Sequence, residues 1–181
     1  MTSKIIIISG ACGTGKTSIS KLLAEKSASD YAVHFHTDDY YEFIRKGYRS
    51  PWEDGTGKQN ETVIKAVVAS AEQFSLGGYE VYVDGVIGPW FLKSWIALAE
   101  SGIDVRYVVL RPSEEITVLR AMERLQREAF PLIEANIKSV WYAFASLDKY
   151  EMNVIDTTDL TIEESIILIQ NKLEEGAFRI I

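Results

Sequence analysis

Residues 5–18 carry the strongest pattern in the chain: Ile5-Ile6-Ile7-Ile8-Ser9-Gly10-Ala11-Cys12-Gly13-Thr14-Gly15-Lys16-Thr17-Ser18. Four consecutive isoleucines predict a strand that is buried on both of its faces. The residues after it fit the pattern G-x-x-x-x-G-K-[ST], with Gly10, Gly15, Lys16 and Thr17 at the fixed positions. Because apolar residues then recur with helical spacing, the motif lies between a strand and a helix, which is the context that a phosphate-binding loop requires.

The residue types in this loop suit a chain of phosphate groups. Glycine allows backbone N–H groups to approach phosphate oxygens closely, and the first turn of the helix adds the positive end of its dipole. Lys16 can reach the β- and γ-phosphates, and the Thr17 hydroxyl can bind Mg²⁺. The alternative is a glycine-rich turn that matches by chance, which the flanking strand and helix disfavour. We therefore predict that ATP and Mg²⁺ bind along the loop, at Gly10, Ala11, Cys12, Gly13, Thr14, Gly15, Lys16, Thr17 and Ser18.

The composition predicts a globular protein with one domain over residues 1–181. Hydrophobic residues make up 47% of the chain and charged residues 25%, which is ordinary for such a protein. The net charge of −7 argues against a nucleic-acid-binding protein, because no basic face is available for the phosphate backbone. No apolar run approaches the roughly 18 residues of a membrane span, and we expect no signal peptide ahead of the first strand. Cys12 is the single cysteine and cannot form an internal disulfide, which fits a cytoplasmic protein. We also expect a monomer or a weak homodimer.

Predicted strands alternate with predicted helices, which is typical of a parallel sheet with helices on both faces. The strands after the first are predicted at residues 32–36, 80–85, 105–110 and 152–156. Helices fill the intervals, among them about 60–76, 89–100 and 132–148. Thr161 and Glu164 predict a capping box at the start of the last helix. The fold class is therefore α/β, arranged as a three-layer sandwich.

Acidic residues follow two of the predicted strands at the edge where parallel sheets bind ligands. Asp84 ends the third strand and is predicted to hold the metal through water; the alternative is that it caps the next turn. Asp38 and Asp39 follow the second strand, and on an extended segment they would point opposite ways. Only one would then face the transferred phosphate. Asp39 suits the alternative role of N-cap for a helix at 40–46, which leaves Asp38 as the candidate general base.

The chain resembles the small P-loop kinases of the gluconate kinase, shikimate kinase and chloramphenicol phosphotransferase type, over nearly all of its length. The resemblance rests on four motifs in this order: Gly10-x4-Gly15-Lys16-Thr17, His34-Phe35-His36-Thr37-Asp38-Asp39, Val83-Asp84-Gly85 and Arg120-x3-Arg124. It implies a P-loop NTPase fold with a five-stranded parallel sheet of strand order 2-3-1-4-5.

The resemblance also implies roles for single residues. In this family an acid at the end of the second strand acts on the substrate hydroxyl, and Asp38 holds that position here. Arginines spaced four apart hold ATP at the start of a mobile lid; here they are Arg120 and Arg124, in a short lid over about 120–137. The alternative is that these arginines belong to a solvated helix face. Under the roles that the resemblance implies, the catalytic residues are Asp38, Lys16 and Arg124.

Residues outside these motifs are candidates for the two ends of the ligand site. Residues 40–58 are aromatic and charged, and we interpret them as a substrate-side excursion of the chain. In it, Arg45, Arg49 and Trp52 are predicted to bind an anionic or sugar-like substrate; the alternative is an exposed cover. At the other end, the resemblance and the position of the fifth strand place Thr157 near the adenine.

Two histidines flank Phe35 on the predicted second strand. Side chains two positions apart on a strand face the same way, so His34 and His36 share one face. With Asp38 they raise the alternative of a metal site. We disfavour it, because no third ligand with suitable spacing appears and Mg²⁺ prefers oxygen.

These observations predict a kinase that transfers a phosphoryl group from ATP to a hydroxyl of a small molecule, with Mg²⁺ as its metal. One alternative is a nucleotide or nucleoside kinase, and another is a regulatory P-loop NTPase that is not a kinase. A GTPase would need an N-K-x-D motif after a late strand, whereas Asn171-Lys172 is followed by Leu173-Glu174. Residues 40–58 carry no signature for gluconate, shikimate or an antibiotic, so the resemblance extends to the reaction class and not to a substrate.

Overall fold

Strand β1, Ile5–Ser9, lies at the centre of the sheet, and its four isoleucines are fully buried. The computed structural model describes residues 3–128 and 134–181. Ile5 and Ile7 belong to the larger apolar cluster on one face of the sheet, whereas Ile6 and Ile8 belong to the cluster on the other face. This alternation follows from the strand geometry and confirms that the isoleucine run is buried on both faces.

The sheet has five parallel strands in the order β2-β3-β1-β4-β5, which confirms the predicted fold class and strand order. The other four strands are β2 (Ala32–His36), β3 (Glu80–Gly85), β4 (Val105–Leu110) and β5 (Val154–Ile155), and β2 and β5 form the two edges of the sheet. In the register of the sheet, Asp84 lies beside Ile8 on one side and beside His36 on the other. The carboxyl ends of β1, β2 and β3 therefore meet at one edge.

Helices cover both faces of the sheet. They are α1 (Lys16–Glu25), α2 (Thr37–Glu42), α3 (Gly57–Leu76), α4 (Lys93–Glu100), α5 (Glu114–Glu128), α6 (Glu134–Ala143) and α7 (Ile162–Glu174). The predicted capping box of α7 is present, with Thr161 and Glu164 bonded to each other's backbone N–H groups. None of the helices within the described ranges combines the length and apolar character that a bilayer crossing requires.

The chain between α6 and β5 differs from the prediction. Helix α6 ends at Ala143, and a short 3-10 helix at Asp148–Asn153 occupies the region before β5. The guanidinium of Arg111 donates to the carbonyl oxygens of Phe144 and Ala145, which compensates for the helical hydrogen bonds that the early end gives up. The Arg111 side chain therefore stabilises the turn that follows α6.

Helix α2 begins earlier than the sequence predicted. It starts at Thr37, directly after β2, so Asp38 and Asp39 both lie in its first turn and the premise of an extended segment was wrong. Thr37 packs so closely against Gly85 that a Cβ on this glycine would lie 2.0 Å from the Thr37 hydroxyl oxygen. Carboxylates in the first turn also interact favourably with the helix dipole, which stabilises the early start.

Candidate active site

The loop between β1 and α1 is fixed by its glycines. Gly10, Gly13 and Gly15 all have positive φ, at 142°, 85° and 87°. A Cβ at Gly10 would lie 2.3 Å from the carbonyl oxygen of Leu110 at the end of β4. A Cβ at Gly13 would lie 2.5 Å from a backbone oxygen of α5. Backbone N–H groups can approach an anion closely in such a loop, so it fits the phosphate chain of ATP.

Lys16 begins helix α1 and is held over this loop. Its side chain is buried, and Nζ donates to the carbonyl oxygen of Ala11 at 2.6 Å. The hydroxyl of Thr14 donates to the same oxygen at 3.0 Å. Of the other predicted loop residues, Cys12 is half-buried and Ser18 is exposed on α1. The loop therefore curls around one carbonyl group with its cationic side chain on the same side.

Asp84 at the end of β3 is fully buried and accepts hydrogen bonds from three side chains. Thr17 Oγ1 donates to Asp84 Oδ2 at 2.7 Å. On the other side of β3, His34 Nε2 lies 2.5 Å from Oδ1, and His36 Nδ1 lies 2.9 Å from Oδ2. Burial opposes the ionisation of Asp84, but the hydrogen bonds from both histidines hold its pKa below the ordinary value. Asp84 is thus a carboxylate.

Thr17 and Asp84 form a site that fits Mg²⁺. Because the Thr17 hydroxyl donates its hydrogen to Asp84, the lone pairs of its oxygen remain for a cation. Both residues offer oxygen, which is the donor atom that Mg²⁺ prefers. By contrast, the described part of the chain contains no group of three or more His, Cys, Asp or Glu side chains that is arranged to hold a metal ion.

Asp38 lies at the rim of the same edge, with 68% of its side chain exposed. Its Oδ2 lies 3.3 Å from His36 Nε2, and this contact lowers the pKa of Asp38. Asp38 and Asp84 together raise the pKa of His36 to about 10, so the imidazole carries a hydrogen on each nitrogen at neutral pH. Lys16 is close enough to contribute electrostatically to the same carboxyl. Asp38 is thus an ionised, accessible acid beside the phosphate-binding loop.

A cavity of about 220 Å³ lies on the other side of the loop, between α1, α5 and the segment that precedes α7. The Arg120 guanidinium reaches across it to the carbonyl oxygen of Thr157 at 3.4 Å. Thr157 is buried, and its hydroxyl has no hydrogen-bond partner within the described structure. The cavity lining also includes Thr14, Gly15 and Ser165. The structure thus brings Arg120 and Thr157 together beside the loop.

The predicted lid is described only in part. Arg124 lies one turn beyond Arg120 on α5, and its side chain is exposed. Residues 129–133 of the predicted lid at about 120–137 lie outside the described residues.

Residues 43–56, between α2 and α3, belong to the predicted substrate-side excursion and are called the acceptor segment after that prediction. Hydrogen bonds within the segment and its flanks hold most of it, and Ile44 packs against the larger apolar cluster. Arg49 donates to the carboxylate of Glu53 at 3.2 Å and to the carbonyl oxygen of Asp54 at 2.8 Å. Thr56 donates to the carbonyl oxygen of Pro51, and the Gln59 amide bonds the backbone of Arg49. In the described part of the chain, the hydrogen bonds of this segment end within residues 41–60. The guanidinium of Arg49 is therefore engaged in the segment itself.

The other two predicted substrate-binding residues, Arg45 and Trp52, are exposed to solvent. Arg45 is exposed, and Trp52 has half of its surface exposed. Among the described residues, no hydrogen bond or ion pair links either side chain to Asp38 or to the loop, so their role stays a prediction.

The sequence interpretation missed the partners of the two histidines. Their alternation on β2 showed a shared face, but the face meets Asp84 only because β2 pairs with β3 in this register. The sequence did show an acid at the end of one predicted strand and two histidines at the end of another. These residues predict a hydrogen-bonded cluster only when the two strands are known to be neighbours.

A family model described as "AAA domain" matches residues 6–137. The curated protein named "Putative adenylate kinase" from Thermococcus kodakarensis is 32% identical over 179 residues, which cover 97% of this chain and 88% of that protein.

Solved structures share the fold at lower identity. The tunicamycin resistance protein of Deinococcus radiodurans has a TM-score of 0.67 at 18% identity, covering 94% of this chain and 95% of its own. Shikimate kinase from Acinetobacter baumannii has a TM-score of 0.65 at 16% identity, and the match covers 99% of this chain and 97% of the shikimate kinase chain. Since the family model spans most of the chain and the curated relative aligns with nearly all of it, this protein belongs to the AAA domain family and is one of its small P-loop kinases.

Proposed function

We propose that this protein is an ATP- and Mg²⁺-dependent phosphotransferase that acts on a hydroxyl group of a small molecule. The observation that carries the proposal is the position of Asp38. Its carboxylate is exposed at the edge of the sheet, within electrostatic reach of Lys16 and in contact with His36. An acceptor hydroxyl beside Asp38 would lie next to the phosphate-binding loop.

Phosphoryl transfer depends mostly on positioning and on neutralising charge. The backbone N–H groups of the loop and the Lys16 ammonium would bind the phosphates. Thr17 would hold Mg²⁺ directly and Asp84 through water; when bound, the ion neutralises charge on the phosphates. On the other side of the loop, Arg120 and Arg124 would hold ATP.

Asp38 would accept the proton of the attacking hydroxyl. Its lowered pKa is compatible with this role, because the transition state of phosphoryl transfer is loose and the hydroxyl becomes acidic as its bond to phosphorus forms. The ionised carboxylate would also orient the hydroxyl by accepting its hydrogen bond before transfer. At the nucleotide end, the hydroxyl of Thr157, which has no hydrogen-bond partner among the described residues, would approach the adenine.

A nucleotide acceptor is the second candidate, and the name of the curated relative favours it. The geometry around Asp38 favours a hydroxyl. A phosphate acceptor is itself an anion without a proton to remove, and the ionised, exposed carboxylate of Asp38 would repel it.

A panel of acceptors tests the proposal. Purified protein with ATP and Mg²⁺ is supplied separately with sugars, shikimate, nucleosides, AMP, and aminoglycoside- and chloramphenicol-type antibiotics, and ADP is measured, with Lys16→Ala as the blank. Stimulation by a compound with a free hydroxyl supports the proposal, provided that the product carries a phosphate ester. Stimulation by AMP alone supports the nucleotide kinase. If no compound changes the rate of ATP hydrolysis and a protein partner does, the protein is a regulatory NTPase.

A further inference from the structure

The two histidines of β2 differ in what they contact. Both face Asp84, because residues two apart on a strand share a face and His36 pairs with Asp84 in the register of the sheet. His34 contacts the Oδ1 atom of Asp84 through Nε2. His36 contacts Oδ2 through Nδ1 and turns its other nitrogen towards Asp38, which is 3.3 Å away. Among the contacts of the described residues, His36 alone joins the two acids.

Asp38 needs such an anchor if it is to act at a defined position. With 68% of its side chain exposed, it has little packing to hold it in one rotamer. His36 itself is mostly covered, with 23% of its side chain exposed, and its other nitrogen is bonded to the fully buried Asp84. The imidazole ring of His36, which is fixed to the sheet through Asp84, therefore holds the exposed carboxylate of Asp38 in place.

The contact also distinguishes the two oxygens of Asp38. His36 lies against Oδ2, which leaves Oδ1 to accept a hydrogen from an acceptor hydroxyl. An acid fixed at one oxygen can meet its substrate in one orientation, which is what proton transfer in the transition state requires.

We propose that His36 is a positioning residue for phosphoryl transfer, which aligns Asp38 with the acceptor hydroxyl by tying it to Asp84. The inference depends on the proposed role of Asp38 as general base. His34 has no such part, since it contacts Asp84 and does not reach Asp38. The two histidines therefore form a matched pair for experiment.

The test is a double-mutant cycle with Asp38→Asn. In His36→Asn the side-chain amide can still take the place of Nδ1 towards Asp84, but it is too short to reach Asp38. We expect kcat to fall about 10–100-fold with the ATP KM unchanged, which is the usual effect of losing a partner that orients a ligand. In the Asp38→Asn background, His36→Asn should have no further effect. His34→Asn should change kcat by the same factor in both backgrounds.

His36→Gln provides the conservative rescue. Its longer amide reaches the place of Nε2 and can still bond Asp38, so its kcat should exceed that of His36→Asn. Thermal melting of all variants separates loss of fold from loss of alignment. The proposal is overturned if His36→Asn is harmless, or if it costs as much in Asp38→Asn as in the wild type, since its effect would then run through Asp84.

A second measurement does not depend on turnover. The protein has two histidines, so the ring ¹⁵N resonances of His34 and His36 can be followed by NMR in the full chain. Asp38→Asn should shift the Nε2 signal of His36 and leave His34 in place; equal shifts in both, or none, overturn the inference. If no acceptor gives turnover, the proposed function fails, while this spectrum still decides whether His36 holds Asp38.

Discussion

Thr17 and Asp84 are joined by a hydrogen bond of 2.7 Å, although 67 positions separate them in the chain. The bond connects the last fixed residue of the phosphate-binding loop to the acid that ends β3. It orients the Thr17 oxygen so that its lone pairs face away from Asp84, and it keeps the carboxylate at the edge where β2 also ends. Asp84 therefore connects the phosphate-binding loop, through Thr17, to the end of β2, through His36.

Lys16→Ala should weaken ATP binding and leave the fold intact. The ammonium bonds a carbonyl oxygen of its own loop and belongs to neither apolar cluster, so its removal costs little stability. Charge-assisted hydrogen bonds are worth about 1.5–3 kcal/mol, which corresponds to roughly 10–100-fold in affinity. Calorimetry with ATP and Mg²⁺ measures the change. Lys21→Ala, an exposed residue on the same helix, is the control and should bind as the wild type does.

Asp38→Asn should lower turnover far more than ATP affinity. The amide can still accept a hydrogen bond, but it is a very poor proton acceptor, and general bases contribute typically ~10²–10⁴-fold to the rate. We expect kcat to fall by that factor and the ATP dissociation constant to change little, because Lys16 and the loop would still bind the phosphates.

Asp39→Asn is the control for this carboxylate. Asp39 lies beside Asp38 in the first turn of α2 and is exposed, so replacing it should leave kcat near the wild-type value. Should Asp39→Asn be inactive and Asp38→Asn active, the two acids have been assigned in the wrong order.

The thiol of Cys12 should react with a maleimide more slowly when ATP is bound. Cys12 is half-buried in the phosphate-binding loop, where a bound phosphate chain would limit access to it. The alkylation rate is followed by mass spectrometry with and without saturating ATP and Mg²⁺. Since it is the single cysteine, one modified mass reports the site directly. Equal rates would show that the thiol is remote from the nucleotide.

Thr157→Val should raise the KM for ATP without lowering the melting temperature. The buried hydroxyl of Thr157 makes no hydrogen bond within the described structure, so the fold loses none when it is removed. If the hydroxyl bonds the adenine, its loss should cost about 0.5–1.5 kcal/mol, or roughly 2–10-fold in KM. An unchanged KM would place the adenine elsewhere.

The neighbouring Thr158→Val should show the opposite pattern. The hydroxyl of Thr158 accepts from the backbone N–H of Ser113 and donates to Asp156. Its removal leaves the Ser113 N–H group without this partner, which should lower the melting temperature, while the KM for ATP changes less than in Thr157→Val.

Local patterns were enough to place most of the sheet. Strands β2, β3 and β4 have the predicted bounds, because compact apolar runs between polar turns leave little choice of position. The strand order came from the resemblance, since local periodicity does not say which strands are neighbours. The start of α2 was missed because Thr37 packs against Gly85, a contact across 48 positions.

The candidate site also has features that the local sequence predicts and features that depend on the folded sheet. Asp38 and Asp84 were placed at one edge because parallel strands end together. The bridge through His36 depends on the register of β2 against β3, which is set by the whole sheet and not by residues 34–39. The engagement of Arg49 with Glu53 likewise depends on how the acceptor segment folds on itself.

The acceptor segment has a consequence for how this protein can diverge. Its hydrogen bonds, such as Arg49 to Glu53 and Thr56 to Pro51, remain local, whereas Asp84 and the phosphate-binding loop are held by β1, β2 and β3. Under the proposed function, in which residues 43–56 bind the acceptor, exchanges within this segment would change the acceptor and leave the bond between Thr17 and Asp84 in place. A lineage with this fold could then keep its phosphoryl donor while its acceptor changes, and chimeras that exchange only this segment would give the protein engineer the same freedom.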